Sequence, residues 1–188
     1  DFDNDIDIVA SKWFEDEKRS YQFFLTNEEG AFLNKTIDSG LLHDGRDNNI
    51  ISFDYNNDGY LDLFILNSKN LKIYKNLDGN KFKIEKNNNI NVNNFLEGTS
   101  IDFDIEGDLD LILVGKSKNI VFQNNSDGTF NKIDKDIGFN KLFSGSKFIT
   151  HSDFNNDGDN DIIIIKENGE GNYFENIRGG LFQQIKNN

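Results

Sequence analysis

Three stretches of the chain set acidic or amide side chains at alternate positions ahead of a glycine. The first is Asp54-Tyr55-Asn56-Asn57-Asp58-Gly59-Tyr60-Leu61-Asp62. The second is Asp102-Phe103-Asp104-Ile105-Glu106-Gly107-Asp108-Leu109-Asp110, and the third is Asp153-Phe154-Asn155-Asn156-Asp157-Gly158-Asp159-Asn160-Asp161. A shorter relative, Asp1-Phe2-Asp3-Asn4-Asp5-Ile6-Asp7, opens the chain. Hard cations such as calcium take about six to eight oxygen ligands at roughly 2.3–2.6 Å. Side chains at positions 1, 3 and 5 of each stretch can converge on one side of a curved backbone. Position 6 is Gly in the three full copies, where a sharp turn calls for positive φ. Position 7 varies (Tyr60, Asp108, Asp159), as expected if its backbone carbonyl is the ligand. Position 9 is always Asp, fixed at the start of the following strand. The aromatic at position 2 (Tyr55, Phe103, Phe154) can pin the loop to a core.

Ordinary turns and an EF-hand are the rivals to such a cation loop. Asp, Asn and Gly make turns without any ion, but three copies at matched spacing weigh against turns alone. An EF-hand would need a bidentate Glu at position 12, where this chain has Ile65, Leu113 and Ile164.

The elements that must carry these loops repeat with them. Asp7, Asp62, Asp110 and Asp161 lie 55, 48 and 51 residues apart. Each acidic stretch runs into a dense apolar segment: Leu61–Leu66, Leu109–Val114, Asp161–Ile165 and the weaker Ile6–Val9. Next comes an aromatic or apolar residue, any residue, then Asn, as in Tyr74-Lys75-Asn76, Phe122-Gln123-Asn124, Phe174-Glu175-Asn176 and Leu25-Thr26-Asn27. A Gly turn then leads to Phe82, Phe130, Phe182 or Phe32. Short apolar runs between Gly, Asn and Asp clusters read as strands and hairpins, four to a unit of about 50 residues, the size of a propeller blade. Apolar residues at consecutive positions suit a strand covered on both faces. The spacing predicts strands near Ile50–Tyr55, Asp62–Leu66, Lys72–Asn76 and Lys81–Glu85, with the acidic loops on one rim. Helical periodicity is weak throughout.

The composition agrees with a globular all-β chain. It has 188 residues, 18 Phe and a net charge of −13. That field repels phosphate backbones and anionic lipid, which argues against nucleic acid and membrane surfaces as partners. Zero Cys excludes disulfides, thiolate metal sites and cysteine nucleophiles. With no Met, the chain is expected to be a processed or partial product. Trp13 lies in Ser11–Ser20, a charged insertion found only in the first copy; local packing is its expected role, with a binding anchor as the alternative. His43 and His151 have no partners at metal or triad spacing. Asn34-Lys35-Thr36 and Asn124-Asn125-Ser126 match the glycosylation sequon.

This pattern resembles the FG-GAP/VCBS repeats of integrin α-subunit propellers, the T-cell immunomodulatory protein and related bacterial surface proteins, from Asp1 to Phe182. The family's Gly-Ala-Pro element is absent, since the chain has no Pro, and the VCBS-like variant fits better. The resemblance implies an all-β fold: a β-propeller of four-stranded antiparallel blades, about four of them, forming part of a larger array. The blades would span about 1–47 (first strand missing), 48–97, 98–146 and 147–188. It implies three Ca2+ sites. Their ligands would be Asp54, Asn56, Asp58, the Tyr60 carbonyl and Asp62; Asp102, Asp104, Glu106, the Asp108 carbonyl and Asp110; and Asp153, Asn155, Asp157, the Asp159 carbonyl and Asp161. A fourth site at Asp1–Asp7 is doubtful, because that loop is two residues short and lacks Gly. The function implied is that of a non-enzymatic, extracellular calcium-binding module for protein interaction or adhesion, meeting a protein or glycan ligand at the cell surface. The alternatives are a sugar-binding propeller lectin, or a noncatalytic propeller domain of a larger secreted enzyme or toxin.

Overall fold

The computed structural model describes residues 5–41, 47–67, 69–86, 90–140 and 144–186. Its elements are strands gathered into four antiparallel sheets, plus one helical turn. The first sheet contains β1 (Ile8–Phe14), β2 (Arg19–Glu28) and β3 (Ala31–Asn34), followed by α1 (Thr36–Ser39). The second contains β4 (Asp47–Phe53), β5 (Asp62–Asn67), β6 (Leu71–Asn76) and β7 (Phe82–Ile84). The third contains β8 (Phe95–Ile101), β9 (Asp110–Gly115), β10 (Asn119–Asn124) and β11 (Phe130–Lys132). The fourth contains β12 (Ser146–Ser152), β13 (Asp161–Lys166), β14 (Gly171–Asn176) and β15 (Phe182–Ile185). Strands within each sheet follow chain order, and the opening strands β4, β8 and β12 lie side by side. This is a propeller-type array of blades.

The consecutive apolar runs are explained by what lies on either side of them. Successive side chains of a strand point to opposite faces. Leu63 and Ile65 of β5 therefore enter the seam with the first sheet, beside Phe24, Tyr74 and Phe82. Phe64 and Leu66 enter the next seam, against Leu111, Leu113, Phe122 and Phe130 of the third sheet. Ile112 and Val114 of β9 face onward to Ile149, Ile162, Ile164 and Phe174 of the fourth. Every residue of β5 and β9 is buried. Each of their Leu, Ile, Val and Phe side chains contributes about 1.5–3 kcal/mol by leaving water. In β13, Ile162 and Ile164 are buried in the third seam, whereas Ile165 is 37% exposed.

Several expectations shift. Tyr55 lies beyond the end of β4 rather than within it, because its N–H turns toward the Asp62 carboxylate and leaves the ladder. The last strand of the second sheet is shorter than expected, Phe82–Ile84. Ser11–Ser20 is no separate insertion: it extends the β1–β2 hairpin, with Trp13 opposite Ser20 and Lys12 opposite Tyr21. The Trp13 indole N–H donates to Glu15 at 2.6 Å, a local contact.

Candidate functional site

All three full acidic loops join the first strand of a sheet to the second, at one rim of the array. Their backbones share one path. Asp54, Asp102 and Asp153 each accept two loop amides: from Asp58 and Gly59, from Glu106 and Gly107, and from Asp157 and Gly158, at 2.8–3.2 Å. The glycines at position 6 have φ of +90°, +97° and +93°, as the sequence predicts. Position 4 is left-handed as well, with Asn57 at +57°, Ile105 at +67° and Asn156 at +61°. The residue types alone do not mark that position, since one of the three is Ile.

Position 9 is the anchor. Asp62, Asp110 and Asp161 are each fully buried. One carboxylate oxygen of each accepts the N–H of the position-2 aromatic, at 3.4, 3.2 and 3.2 Å. The other accepts the N–H of the Asn ending the third strand: Asn76 at 2.7 Å, Asn124 at 2.8 Å and Asn176 at 2.9 Å. Burial, reinforced by neighbouring carboxylates, pushes the Asp62 and Asp110 carboxyls up to about 7. Desolvation also raises Asp104.

In the second loop, Asp102, Asp104 and Asp110 each bring a carboxylate oxygen within 4.8 Å of the others. Asp104 Oδ1 and Asp108 Oδ1 are buried with no hydrogen-bond partner. Three carboxylates converging in this way, with the Asp104 oxygen among them unpartnered, suit a hard dication, so the donor set fits calcium. Glu106 stands outside that group of three and meets Gln123 Nε2 at 3.5 Å. The position-7 side chains Asp108 and Asp159 turn instead to Ser126 and Arg178. In the first loop, Asn56 Nδ2 donates to Asp62, and Asp58 pairs with Lys75 at 3.1 Å. In the third, Asn155 Nδ2 donates to Asp157 and to Glu175. Asp1 and Asp3 of the short loop and His43 lie outside the described residues. Asp7 accepts the Asn27 N–H at 2.9 Å, matching the position-9 role elsewhere.

The position between the aromatic and the Asn, which is unconstrained in the sequence pattern, reaches the loop in every full copy. Lys75 contacts Asp58, Gln123 contacts Asp104, and Glu175 contacts Asn155. Its fixed place between two recurring residues was the available signal. The expected pinning by position 2 holds for Tyr55 and Phe103, 3% and 2% exposed, but not for Phe154, which is 44% exposed. Tyr55 and Phe103 reach forward into the seam with the following sheet, and Phe154 belongs to the last sheet of the chain. His151 sits on β12, where burial lowers its pKa. Asn124, one of the two sequon residues, is buried and fully engaged, whereas Asn34 is exposed.

A cleft of about 480 Å³ opens between the first and second sheets beside the first loop. Tyr60, Leu61, Asp7, Ser52, Asn76 and Phe82 line part of it. A larger hollow of about 900 Å³, bordered by Phe14, Tyr21, Gln22 and Lys72, lies toward the opposite ends of the strands.

The fold and this rim define a propeller-type repeat protein. Among solved structures, the chain is similar to an Agrocybe aegerita lectin that specifically recognises non-reducing terminal N-acetylglucosamine. The two share 18% identity and a TM-score of 0.54, over 96% of this chain and 52% of the lectin. The chain thus spans about half the length of that lectin, and the likeness is one of fold. A Photorhabdus luminescens Tc holotoxin pore aligns at 13% identity and a TM-score of 0.40, over 98% of this chain and 9% of its own. No protein-family model matches the sequence, and no curated protein matches it.

Proposed function

We propose that this chain is a calcium-stabilised propeller segment that recognises carbohydrate outside the cell. The observation that carries the reading is the cleft between the first two sheets, set against the acidic rim. It combines ring and aliphatic surface (Tyr60, Leu61, Phe82) with groups able to bond hydroxyls (Asp7, Ser52). A sugar presents that same combination, a C–H face and a crown of hydroxyls, and small-ligand sites commonly pair apolar walls with a few polar groups. The lectin of similar fold recognises a terminal N-acetylglucosamine, which makes that sugar the first to try. Adhesion through a protein partner rests on the family resemblance alone. Calcium, held by the three loops, would supply charge neutralisation and fix the rim that borders the cleft.

The test is a glycan array and N-acetylglucosamine affinity resin, probed with calcium-loaded protein and with Tyr60→Ala. That substitution removes the ring and leaves the Tyr60 carbonyl in place. Sugar binding lost in Tyr60→Ala supports the reading. No glycan bound, or binding untouched by the substitution, overturns it.

A further inference from the structure

The three loops are joined to one another by side-chain amides that cross the seams between sheets. Asn124 Nδ2 donates to the Tyr55 carbonyl of the preceding sheet's loop at 3.0 Å, and to Leu109 of its own loop at 3.1 Å. Asn176 Nδ2 repeats this with the Phe103 carbonyl at 3.0 Å and Asn160 at 3.4 Å. Both side chains are buried, 3% and 1% exposed. Their backbone N–H groups rest on Asp110 and Asp161, and the residues they grip across the seam, Tyr55 and Phe103, donate to Asp62 and Asp110. The result is one unbroken chain of bonds from Asp62 through Tyr55, Asn124, Asp110, Phe103 and Asn176 to Asp161.

We infer that Asn124 and Asn176 are positioning residues that couple the cation affinities of neighbouring loops. The inference rests on the calcium reading above. Tyr55 lies between Asp54 and Asn56, and Phe103 lies between Asp102 and Asp104. A clamp on their carbonyls therefore fixes the backbone that carries two ligand side chains of the adjacent loop. Whatever holds the Asp110 carboxylate still also holds Asn124, and through it the first loop. Ordering one loop then lowers the entropic cost of ordering the next, which gives positive cooperativity without a change of shape. Asn76 has the same contacts within its own sheet, to Leu61 and Asp62, but its side chain donates to no other sheet among the described residues. It is the internal control.

The experiment is a double-mutant cycle in the whole chain. Calcium alone is titrated, and the first loop is followed through the Gly59 amide resonance. Asp104→Ala disables the second loop. It is expected to weaken calcium binding at the first loop about fivefold, within the usual range of coupling between sites. In the Asn124→Ala background, the same Asp104→Ala change should leave the first loop's affinity unaltered. In the Asn76→Ala background the coupling should persist. If Asn124→Ala does not fold, hydrogen exchange at the Tyr55 amide decides in the Asp104→Ala chain alone. With calcium saturating the first loop, exchange should be faster than in the unsubstituted chain, and equal rates overturn the inference. Calcium bound by all loops with no effect of Asp104→Ala, or an effect that survives Asn124→Ala, overturns the coupling and leaves the calcium reading standing. Calcium bound by no loop overturns the calcium reading itself, and the coupling with it.

Discussion

The Asn124 side-chain amide lies 3.0 Å from the backbone carbonyl of Tyr55, 69 residues earlier in the chain. Asn124 Oδ1 also accepts the Ser126 N–H, so a single side chain closes its own hairpin turn and ties two sheets together. Asn176 does the same for the following pair, through Phe103 and Arg178. Propeller blades otherwise meet through apolar side chains, which are tolerant of sliding. A buried amide with fixed partners sets the register of one blade on the next, since misplacing it strands polar groups at about 1–3 kcal/mol each.

Removing divalent cation should destabilise the protein. Carboxylates crowded into each loop repel one another unless neutralised. Three dications would bring the formal charge from −13 to −7. A site occupied only in the folded state, at 100 times its dissociation constant, adds about 2.7 kcal/mol. Melting curves with chelator should fall below those with calcium by more than matched magnesium or sodium produces. Coincident curves would show that the loops are plain turns. Asp157→Ala should weaken the third site more than the others.

Ile105→Asn should stabilise the protein by about 1 kcal/mol. Ile105 occupies φ +67°, a region that β-branched residues adopt at a cost, and it is 54% exposed, so little packing is lost. The sister loops carry Asn57 and Asn156 at that place. Urea unfolding reads the change, and a loss of stability would contradict the strain.

Gly138→Ala should cost several kcal/mol, about 3 or more, or prevent folding. Gly138 sits at φ +109°, and a Cβ there would stand 1.9 Å from the Phe182 carbonyl oxygen. The backbone cannot yield easily, because the Phe182 N–H donates to the Ile137 carbonyl at 2.8 Å. Expression as a well-folded protein with unchanged melting would refute the prediction.

Glu97→Gln should stabilise the chain at neutral pH and not in acid. Burial alone raises the Glu97 pKa above its usual 4.5. The unsubstituted chain therefore keeps its full stability while Glu97 is protonated and loses some as pH rises through the raised value. Because Glu97 is only half-buried, the gain at pH 7 should stay below about 1 kcal/mol. The two proteins should converge below about pH 4, where both side chains are neutral. A constant difference across pH would contradict the assignment.

The repeat, the all-β class and the three acidic loops were legible in the sequence, because each rests on local chemistry. Alternating oxygens before a glycine, and apolar residues on both faces of a short strand, require no knowledge of what lies across the seam. Glycine at position 6 follows for the same reason: its φ is set by the loop itself. Tertiary structure decided what each residue meets at long range. Asn124 and Asn176 belong to a motif that the sequence shows, but that their side chains reach across a seam to the Tyr55 and Phe103 carbonyls, 69 and 73 residues earlier, depends on how the sheets pack. Phe103 and Phe154 hold equivalent positions, yet Phe103 is buried among side chains of the fourth sheet while Phe154 is 44% exposed, a difference set by packing between sheets. Glu106 and Asp104 look alike as ligands two residues apart, but the curvature of the folded loop brings Asp104 beside Asp102 and Asp110 and leaves Glu106 outside. Spacing along the chain dictates the loop, and packing between sheets selects which of its side chains converge.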